Sequence, residues 1–277
     1  MTQKPPPAPL DLTFVVLAYN EEACLRATVD DCVGWMRRAG QLAPILIMDD
    51  GSTDRTAEIA DDLAREHRDI RVVHIAKNAG QFNAIRTSWP LVATTYFAVI
   101  PGDNQFDMRG FDLFLPHIGK YDVIFGFPNN EEVRGKMRGV LSHLWRIYLL
   151  SMFGVSVVYL GGLAVLPVDL VRSTRIESEG FLGIYELMTR ICTSGANWIQ
   201  IPFVMRDRAG GQSAAVKPLR NLADLARMTL LWTRIKGPGI LPAGRDYREM
   251  RQTFASFAAR SGAHRPTRDR DDAGNDR

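Results

Sequence analysis

Cysteine is scarce in this chain of 277 residues. Three cysteines occur, Cys24, Cys32 and Cys192, and they show no paired spacing of the kind that binds metal. A disulfide-stapled secreted fold uses a denser, even-numbered set. The sequence therefore predicts reduced thiols and a cytoplasmic location.

A strong charge of either sign is also absent. The chain has 34 basic and 31 acidic residues, a formal net charge of +3 and a pI of about 8.8. This excess falls well short of a dedicated nucleic-acid binder, and we expect no nucleic-acid partner. The hydrophobic content of 46% is ample for a core and excludes disorder throughout.

No export signal is recognisable at the N terminus. The opening "MTQKPPPAPL" has one lysine, four prolines and no apolar stretch, which predicts a flexible leader over residues 1–11. One uncharged run, residues 147–168, reaches the length of about 20 residues that crosses a membrane. Its glycines and Pro167 favour a buried helix end, a turn and a core strand, with a membrane span as the alternative.

Apolar runs and helical spacings alternate along the first half of the chain. Buried strands are predicted at residues 13–20, 45–50, 70–75, 96–100 and 122–127, with helices between the first four of them. This order predicts an α/β fold with a mostly parallel central sheet flanked by helices. The second half is less regular, with helices predicted at 133–152 and 184–194 and strands at 159–166 and 198–204.

Polar clusters follow three of the predicted strands. "AYNEE" ends the first strand, "DDGSTD" the second and "PGDNQFD" the fourth. Ligands of open parallel sheets sit beyond the carboxyl ends of the strands, so these clusters indicate one binding edge. Taken singly, Asp49 and Asp50 are equally typical of a strand end that turns and caps the next helix.

These motifs resemble those of the family 2 glycosyltransferases of GT-A fold. The resemblance is carried in order by "VVLAYNEEACLRAT", "IMDDGSTDRTAEIADDLA", "KNAGQFNAIRTSW" and "YFAVIPGDNQFD". The resemblance extends to residue 213. Within the family, "KNAGQ" and the later motifs of the chain are most similar to dolichol-phosphate mannose synthase and bacterial polyprenyl-phosphate glycosyltransferases. The resemblance implies a single catalytic domain over residues 12–215. Basic residues and a helical apolar pattern predict a helical, basic C-terminal extension over 216–262, and a mixed-charge stretch without core residues predicts a disordered tail over 263–277.

The resemblance assigns roles to the strand-end residues. Tyr19, Glu21 and Asp50 would bind the base and ribose of a UDP- or GDP-sugar. The same motifs add Asn20, Asp49, Asn78 and Gly80 to this nucleotide-sugar site. Asp103 and Gln105 would hold Mg2+ or Mn2+ at the diphosphate, since hard cations prefer oxygen ligands.

The second half is expected to supply the acceptor site. The resemblance places Arg208 in a basic loop, at the position where the family has an arginine followed by a glycine and a serine. Arg206, Gly211 and Ser213 complete the predicted phosphate-binding set. A solvated basic loop is the alternative. Glu186 is favoured over Glu179 as an acid that orients or deprotonates the acceptor, with a structural or helix-surface glutamate as the alternative. The predicted catalytic residues are therefore Asp103, Glu186 and Arg208.

The predicted reaction is an inverting, metal-dependent sugar transfer to a polyprenyl phosphate or other glycolipid acceptor. Helix 222–235 and the basic residues near it would provide peripheral contact with the inner face of the membrane. The sequence departs from the family pattern at Pro101, Val158, Ile184 and Ala214. Pro101, Val158 and Ile184 motivate one alternative, a nucleotide-sugar-binding partner module with weakened catalysis. A transferase with a soluble acceptor is the other, since helix 222–235 could equally pack on the domain.

Overall fold

Seven strands form one central sheet. The computed structural model describes residues 8–130, 143–144, 146–148, 150–151, 162–194, 196–207, 227 and 229. In space the sheet strands follow the order β5-β4-β2-β6-β8-β7-β9. Their ranges are β2 Leu12–Ala18, β4 Ile45–Asp49, β5 Ile70–His74, β6 Tyr96–Pro101, β7 Val123–Pro128, β8 Ala164–Pro167 and β9 Trp198–Phe203; the short strands β1 Ala8–Pro9 and β3 Gln41–Leu42 pair separately.

The predicted mostly parallel sheet is confirmed. β2 lies between β4 and β6 and is parallel to both, and β4 is parallel to β5. β8 is the exception, because it is antiparallel to both β6 and β7. Every residue of β2 and β4 is buried, which explains why the two strands read as continuous apolar runs.

Helices cover both faces of the sheet. They are α1 Leu25–Ala39, α2 Thr56–Glu66, α3 Gln81–Ser88, α4 Val168–Ser173 and α5 Gly180–Thr193. Phe14 and Val16 of β2 join a core with α1 and α2, whereas Val15 and Leu17 join the opposite core with α3 and α5. The alternation follows from the two-residue period of a strand.

Several predicted boundaries differ from those observed. The helix predicted from residue 184 begins at Gly180, because Glu179 keeps an extended backbone and the helical pattern starts one turn earlier. Residues 8–11, assigned from the sequence to a flexible leader, are attached to the domain. Ala8 and Pro9 pair with β3, and the Leu10 amide donates to Leu42 O.

The predicted helix 133–152 and the run at 147–168 are described only in part. Residues 143–144, 146–148 and 150–151 are helical, and the run ends in β8. Within the described part of the chain, no helix is both long and apolar enough to cross a bilayer. Nearly all of the predicted extension 216–262, and the whole tail 263–277, lie outside the described residues.

The contact between α3 and α5 depends on Gly183, and replacing it tests the packing. A methyl group at Gly183 would lie 2.2 Å from a ring carbon of Phe82. We expect Gly183→Ala to lower the free energy of unfolding by roughly 1–3 kcal/mol, measured by urea denaturation. Gly34→Ala in α1 is the matched control. The added methyl group would lie 3.5 Å from the tip of the Arg38 side chain, an ordinary contact, and the change should stabilise by about 0.5–1 kcal/mol. Equal effects at the two glycines would contradict this account.

Candidate functional site

The loops after β2 and β4 are hydrogen-bonded to each other. The Asn20 amide donates to Ser52 Oγ at 3.0 Å, and Asn20 Oδ1 accepts from the Thr53 amide at 2.8 Å. The Glu21 amide donates to Thr56 Oγ1 at 2.8 Å. Asn20 has a φ of 53°, a left-handed conformation that asparagine tolerates better than most residues. The two loops therefore form one surface, and Tyr19 lies partly exposed beside it.

Glu22 and Asp54 extend this connection. Glu22 Oε2 accepts from the Arg55 amide, and the Glu22 amide donates to Asp54 Oδ2. Asp54 Oδ1 also accepts from the Thr56 amide at the start of α2. Burial acts to raise the pKa of Asp54, but these hydrogen bonds outweigh it and leave the pKa below its usual value. The Asp54 side chain thus satisfies a backbone amide at the start of α2.

The adjacent residues Asp49 and Asp50 serve different partners. Asp49 is buried; its carboxylate accepts from the Ser52 amide at 3.0 Å and lies 2.8 Å from His74 Nδ1. His74 Nε2 lies 3.2 Å from Asp61 of α2. Asp49 therefore stabilises the turn and the edge strand. The nucleotide contact predicted for it stays a prediction.

Asp50 holds the loop that follows β5. It is also buried, and its carboxylate accepts from the Ala79 amide at 3.0 Å, the Gly80 amide at 2.8 Å and Asn78 Nδ2 at 3.1 Å. The neighbouring Gly51 has a φ of 70°, and a Cβ there would lie 2.7 Å from the Asn78 amide nitrogen. Glycine is required at this position by both conformation and space.

Asp103 and Gln105 lie on the loop after β6. The sheet register places Leu17 beside Pro101 and Ala18 beside Asp49, so this loop flanks Tyr19 on the side opposite Asp50. The Gln105 amide donates to Asp103 Oδ1 at 3.2 Å, and Gln105 Nε2 donates to Arg206 O at 3.3 Å. The structure thus brings the three predicted strand-end clusters to neighbouring positions on one edge.

Arg206 contacts acidic side chains. Its Nη1 lies 3.0 Å from both Asp31 Oδ2 and Asn104 Oδ1, and its Nη2 lies 3.1 Å from Asp107 Oδ1. Burial acts to raise the pKa of Asp107, but Arg109 and Arg206 together hold it below its usual value. The guanidinium predicted to bind phosphate is therefore paired with side chains of α1 and of the loop after β6.

Glu186 is fully buried on α5. It accepts from the amides of Glu177 and Ser178 and forms a salt bridge with Arg190 at 2.7 Å. Burial acts to raise the pKa of Glu186, but hydrogen bonds from Ser178, Glu177 and Arg190 leave it below its usual value. A buried carboxylate with a low pKa is a poor proton acceptor, so these contacts favour the structural alternative for Glu186. Its role as an acid at the acceptor stays a prediction.

Part of the predicted acceptor site lies outside the described residues, namely Arg208, Gly211 and Ser213. Among the residues that the structure describes, no group of three or more His, Cys, Asp or Glu side chains is placed to hold a metal ion. The sequence did not predict that the hydroxyl groups of Ser52 and Thr56 accept from the amides of Asn20 and Glu21, although both residues belong to the second strand-end motif.

A family model settles the classification. Residues 13–162, more than half of the chain, match the model described as Glycosyl transferase family 2. The chain belongs to this family. Its matched region contains every strand-end cluster described above, and the resemblance read from the motifs is confirmed.

Curated family 2 relatives resemble only part of this chain. A dolichyl-phosphate beta-glucosyltransferase of Trichomonas vaginalis is 35% identical over 85 residues, 29% of this chain and 25% of the relative. An undecaprenyl-phosphate 4-deoxy-4-formamido-L-arabinose transferase of Pectobacterium carotovorum is 33% identical over 116 residues, 41% of this chain and 36% of the relative. The chain therefore spans between a quarter and about a third of these relatives.

Solved structures support the GT-A fold. Glucosyl-3-phosphoglycerate synthase from Mycobacterium tuberculosis, in complex with Mn2+, UDP-glucose and phosphoglyceric acid, superposes with a TM-score of 0.61 at 19% identity. The match covers 82% of this chain and 80% of that one. The same enzyme with Mg2+ and UDP gives a TM-score of 0.56 at 20% identity, covering 84% and 81%. At this identity the likeness establishes the fold alone.

The contacts of His74 predict a pH-dependent stability. Hydrogen bonding to Asp49 raises the pKa of His74 against the opposing effect of burial, and Asp61 adds to the rise. Because the pKa of His74 is higher in the folded than in the unfolded state, its protonation stabilises the folded protein. This stabilisation is complete below the unfolded-state pKa of about 6.5 and is lost as the pH rises through the folded-state pKa. Urea unfolding of the wild type and His74→Gln should therefore differ more at pH 6 than at pH 8.5. A stability difference that is constant across this range would refute the assignment.

Proposed function

We propose that this protein transfers a sugar from a nucleoside-diphosphate sugar to a polyprenyl phosphate. The observation that carries the proposal is the meeting of three strand-end loops on one sheet edge in a family 2 chain, with Tyr19, Asp50 and Asp103 on adjacent strand ends. Relatives named for dolichyl-phosphate, undecaprenyl-phosphate and dodecaprenyl-phosphate substrates support the choice of acceptor.

Asp50 is the proposed contact for the nucleoside. An ionised carboxylate offers about four acceptor positions, and three on Asp50 are filled by the 78–80 loop. The remaining position suits an N–H of uracil or guanine, or a ribose hydroxyl. The same nucleoside would also contact three residues that follow β2, namely Tyr19, Asn20 and Glu21. Uridine donors are the first to test, because the solved relative is described with UDP.

The residues after β6 fit a divalent cation. Gln105 directs its amide nitrogen to Arg206 O, which leaves Oε1 as the acceptor of that side chain, and Asp103 adds a carboxylate. Both are the oxygen donors that Mg2+ and Mn2+ prefer. When bound, the cation would neutralise the charge that develops on the departing nucleoside diphosphate.

The proposed transfer is a single displacement with inversion. An oxygen of the acceptor phosphate forms the new bond to the anomeric carbon, and the bond from that carbon to the diphosphate oxygen breaks. A phosphate anion brings its own nucleophilic oxygen, so no general base is required. This agrees with the burial and the low pKa of Glu186. Arg208, Gly211 and Ser213 are proposed to hold the acceptor phosphate.

An exposed apolar helix face supports contact with a membrane surface. Leu144, Ile147 and Leu150 are 57%, 53% and 43% exposed, and Tyr148 of the same helix lies 2.8 Å from Thr229 across their hydroxyl oxygens. Arg227 lies close in sequence to Thr229 and is exposed. Apolar side chains beside basic ones suit an anionic bilayer surface, here the inner face of the cell membrane.

Substitution of Asp103 tests the reaction. Asp103→Ala should lower the rate of nucleoside-diphosphate release by at least about 100-fold, because the cation loses its carboxylate ligand. The assay would combine a panel of UDP- and GDP-sugars, Mg2+ or Mn2+ and a short-chain prenyl phosphate. Asp30→Ala, which removes an exposed carboxylate on α1, is the control and should keep wild-type rates.

The outcomes separate the alternatives. Undiminished activity of Asp103→Ala would mean that the cation is placed wrongly. Donor binding by the wild type without release of nucleoside diphosphate from any donor would favour the non-catalytic partner module motivated by Pro101 and Ile184. Turnover with a water-soluble acceptor alone would favour the soluble-acceptor alternative.

Membrane contact is tested by flotation with vesicles of phosphatidylglycerol and phosphatidylcholine. Leu144→Ser with Ile147→Ser should reduce the bound fraction at least about fivefold, because two exposed apolar side chains that enter the bilayer would together contribute more than about 1 kcal/mol to binding. Leu42→Ser is the control, because Leu42 on β3 is also exposed, at 47%, and this variant should float like the wild type. A wild type that stays wholly in the unbound fraction would remove the membrane proposal.

A further inference from the structure

The guanidinium of Arg206 joins two elements that are distant in sequence. It contacts Asp31 of α1, and on the loop after β6 it contacts Asn104 and Asp107. The three distances lie between 3.0 and 3.1 Å. Asp107 is nearly buried, with 7% of its side chain exposed, so its charge needs a fixed partner.

The backbone of Arg206 is attached to the same loop. Its amide donates to Gln105 O at 2.8 Å, and its carbonyl oxygen accepts from Gln105 Nε2 at 3.3 Å. One residue earlier, Met205 forms an antiparallel bridge with Phe106. The opposite side of this segment is held by Asn130, whose side chain accepts from the Met205 amide and donates to its carbonyl oxygen.

These contacts surround the two proposed cation ligands. Asn104, between Asp103 and Gln105, has a φ of 54°, which few residues adopt without support. Arg206 holds Asn104 through its side-chain oxygen and fixes the amide orientation of Gln105 through its own carbonyl. Release of either contact would free the segment that carries the ligands.

We propose that Arg206 is a positioning residue that holds the loop 103–107 in the conformation that binds the divalent cation. The proposal rests on the cation site of the proposed function and reassigns Arg206 from the phosphate-binding role predicted from the sequence. The N–H groups of the guanidinium are already paired with Asp31, Asn104 and Asp107. Arg206 would therefore affect the reaction indirectly, through Asp103 and Gln105. The contribution of Arg206 is therefore to the affinity for the cation.

Lysine at this position separates the two roles. Arg206→Lys keeps the positive charge, which would partly preserve a phosphate contact, but one ammonium cannot reproduce the planar fork that spans Asp31, Asn104 and Asp107. Positioning therefore predicts that Lys and Met substitutions behave alike. Arg109→Met is the matched control, because Arg109 also pairs with Asp107 and contacts neither Asn104 nor Gln105 in the described hydrogen bonds.

The first measurement needs neither metal nor donor. Amide hydrogen exchange of the peptide containing residues 103–107 should be faster in Arg206→Met and Arg206→Lys than in the wild type, at least about tenfold for the Gln105 to Asp107 amides. Arg109→Met should change it less than twofold. Exchange rates that are the same in all four proteins would overturn the positioning role.

The second measurement is the affinity for Mn2+, followed by electron paramagnetic resonance in the presence of UDP or GDP. Both Arg206 variants should bind Mn2+ roughly 10- to 100-fold more weakly, the usual effect of losing a group that orients a ligand. Arg109→Met should stay within about twofold of the wild type. Weaker binding in Arg206→Met with full affinity in Arg206→Lys would overturn positioning in favour of a simple charge effect.

The two measurements distinguish this inference from the function it rests on. If the wild type binds no Mn2+ with either nucleotide but exchange is faster in the Arg206 variants, the cation site of the proposed function fails and the loop-holding role stands. If the wild type binds Mn2+ and neither exchange nor affinity changes in the variants, the cation site stands and the inference about Arg206 fails.

Discussion

The candidate site depends on the hydrogen bonds of one buried carboxylate. Asp50 lies at the end of a fully buried strand, where an unpaired charge is costly, and it accepts from two amides and one side-chain amide of the 78–80 loop. This joins the loops after β4 and β5. Gly80 in turn approaches Gly180 at the start of α5, where a Cβ on Gly80 would lie 3.8 Å from the Gly180 Cα. The first half of the chain is thereby connected to the second.

The position of Asp50 also explains why two aspartates are adjacent. Asp49 ends the strand and faces His74 on the edge strand β5, whereas Asp50 meets the loop beyond it. Neighbouring side chains of an extended chain point to opposite sides. Two adjacent aspartates can therefore hydrogen-bond to β5 and to the 78–80 loop at the same time. The structural and the functional explanations of this pair are therefore compatible. Asp49 serves the fold, and Asp50 supports the loop and is left with one acceptor position.

The sheet and the shared edge could be predicted from the sequence because they depend on local patterns. Continuous apolar strands such as Ile45–Asp49 require burial on both faces, and the carboxyl ends of parallel strands coincide. The antiparallel β8 could not be predicted in this way, since nothing in four apolar residues specifies direction. Its orientation is set by pairing with β6 and β7.

The partners of charged side chains were harder to predict. Arg206 lies 175 residues from Asp31 in the sequence, and its place beside "DRAGGQS" favoured a ligand role. Glu186 is similar, because a glutamate in the first two turns of a helix gives no sign that it accepts from the preceding loop. A sequence motif identifies which residues belong to a site. Whether such a residue binds a ligand or stabilises a loop depends on contacts that form only in the folded chain.

Pro101 shows how these contacts affect the chemistry. It occupies the place of an acid in the family pattern, and in the structure it ends β6 beside Leu17, where an amide donor is not needed. A cation at this loop would then have one carboxylate, Asp103, and a neutral amide oxygen from Gln105. Fewer charged ligands lower the intrinsic affinity, so more of the binding must come from a loop that is already in the correct conformation. In the proposed cation site, the contacts of Arg206 with Asn104 and Gln105 would supply that rigidity, and with proline in place of an acid at position 101 the site would depend on them more strongly.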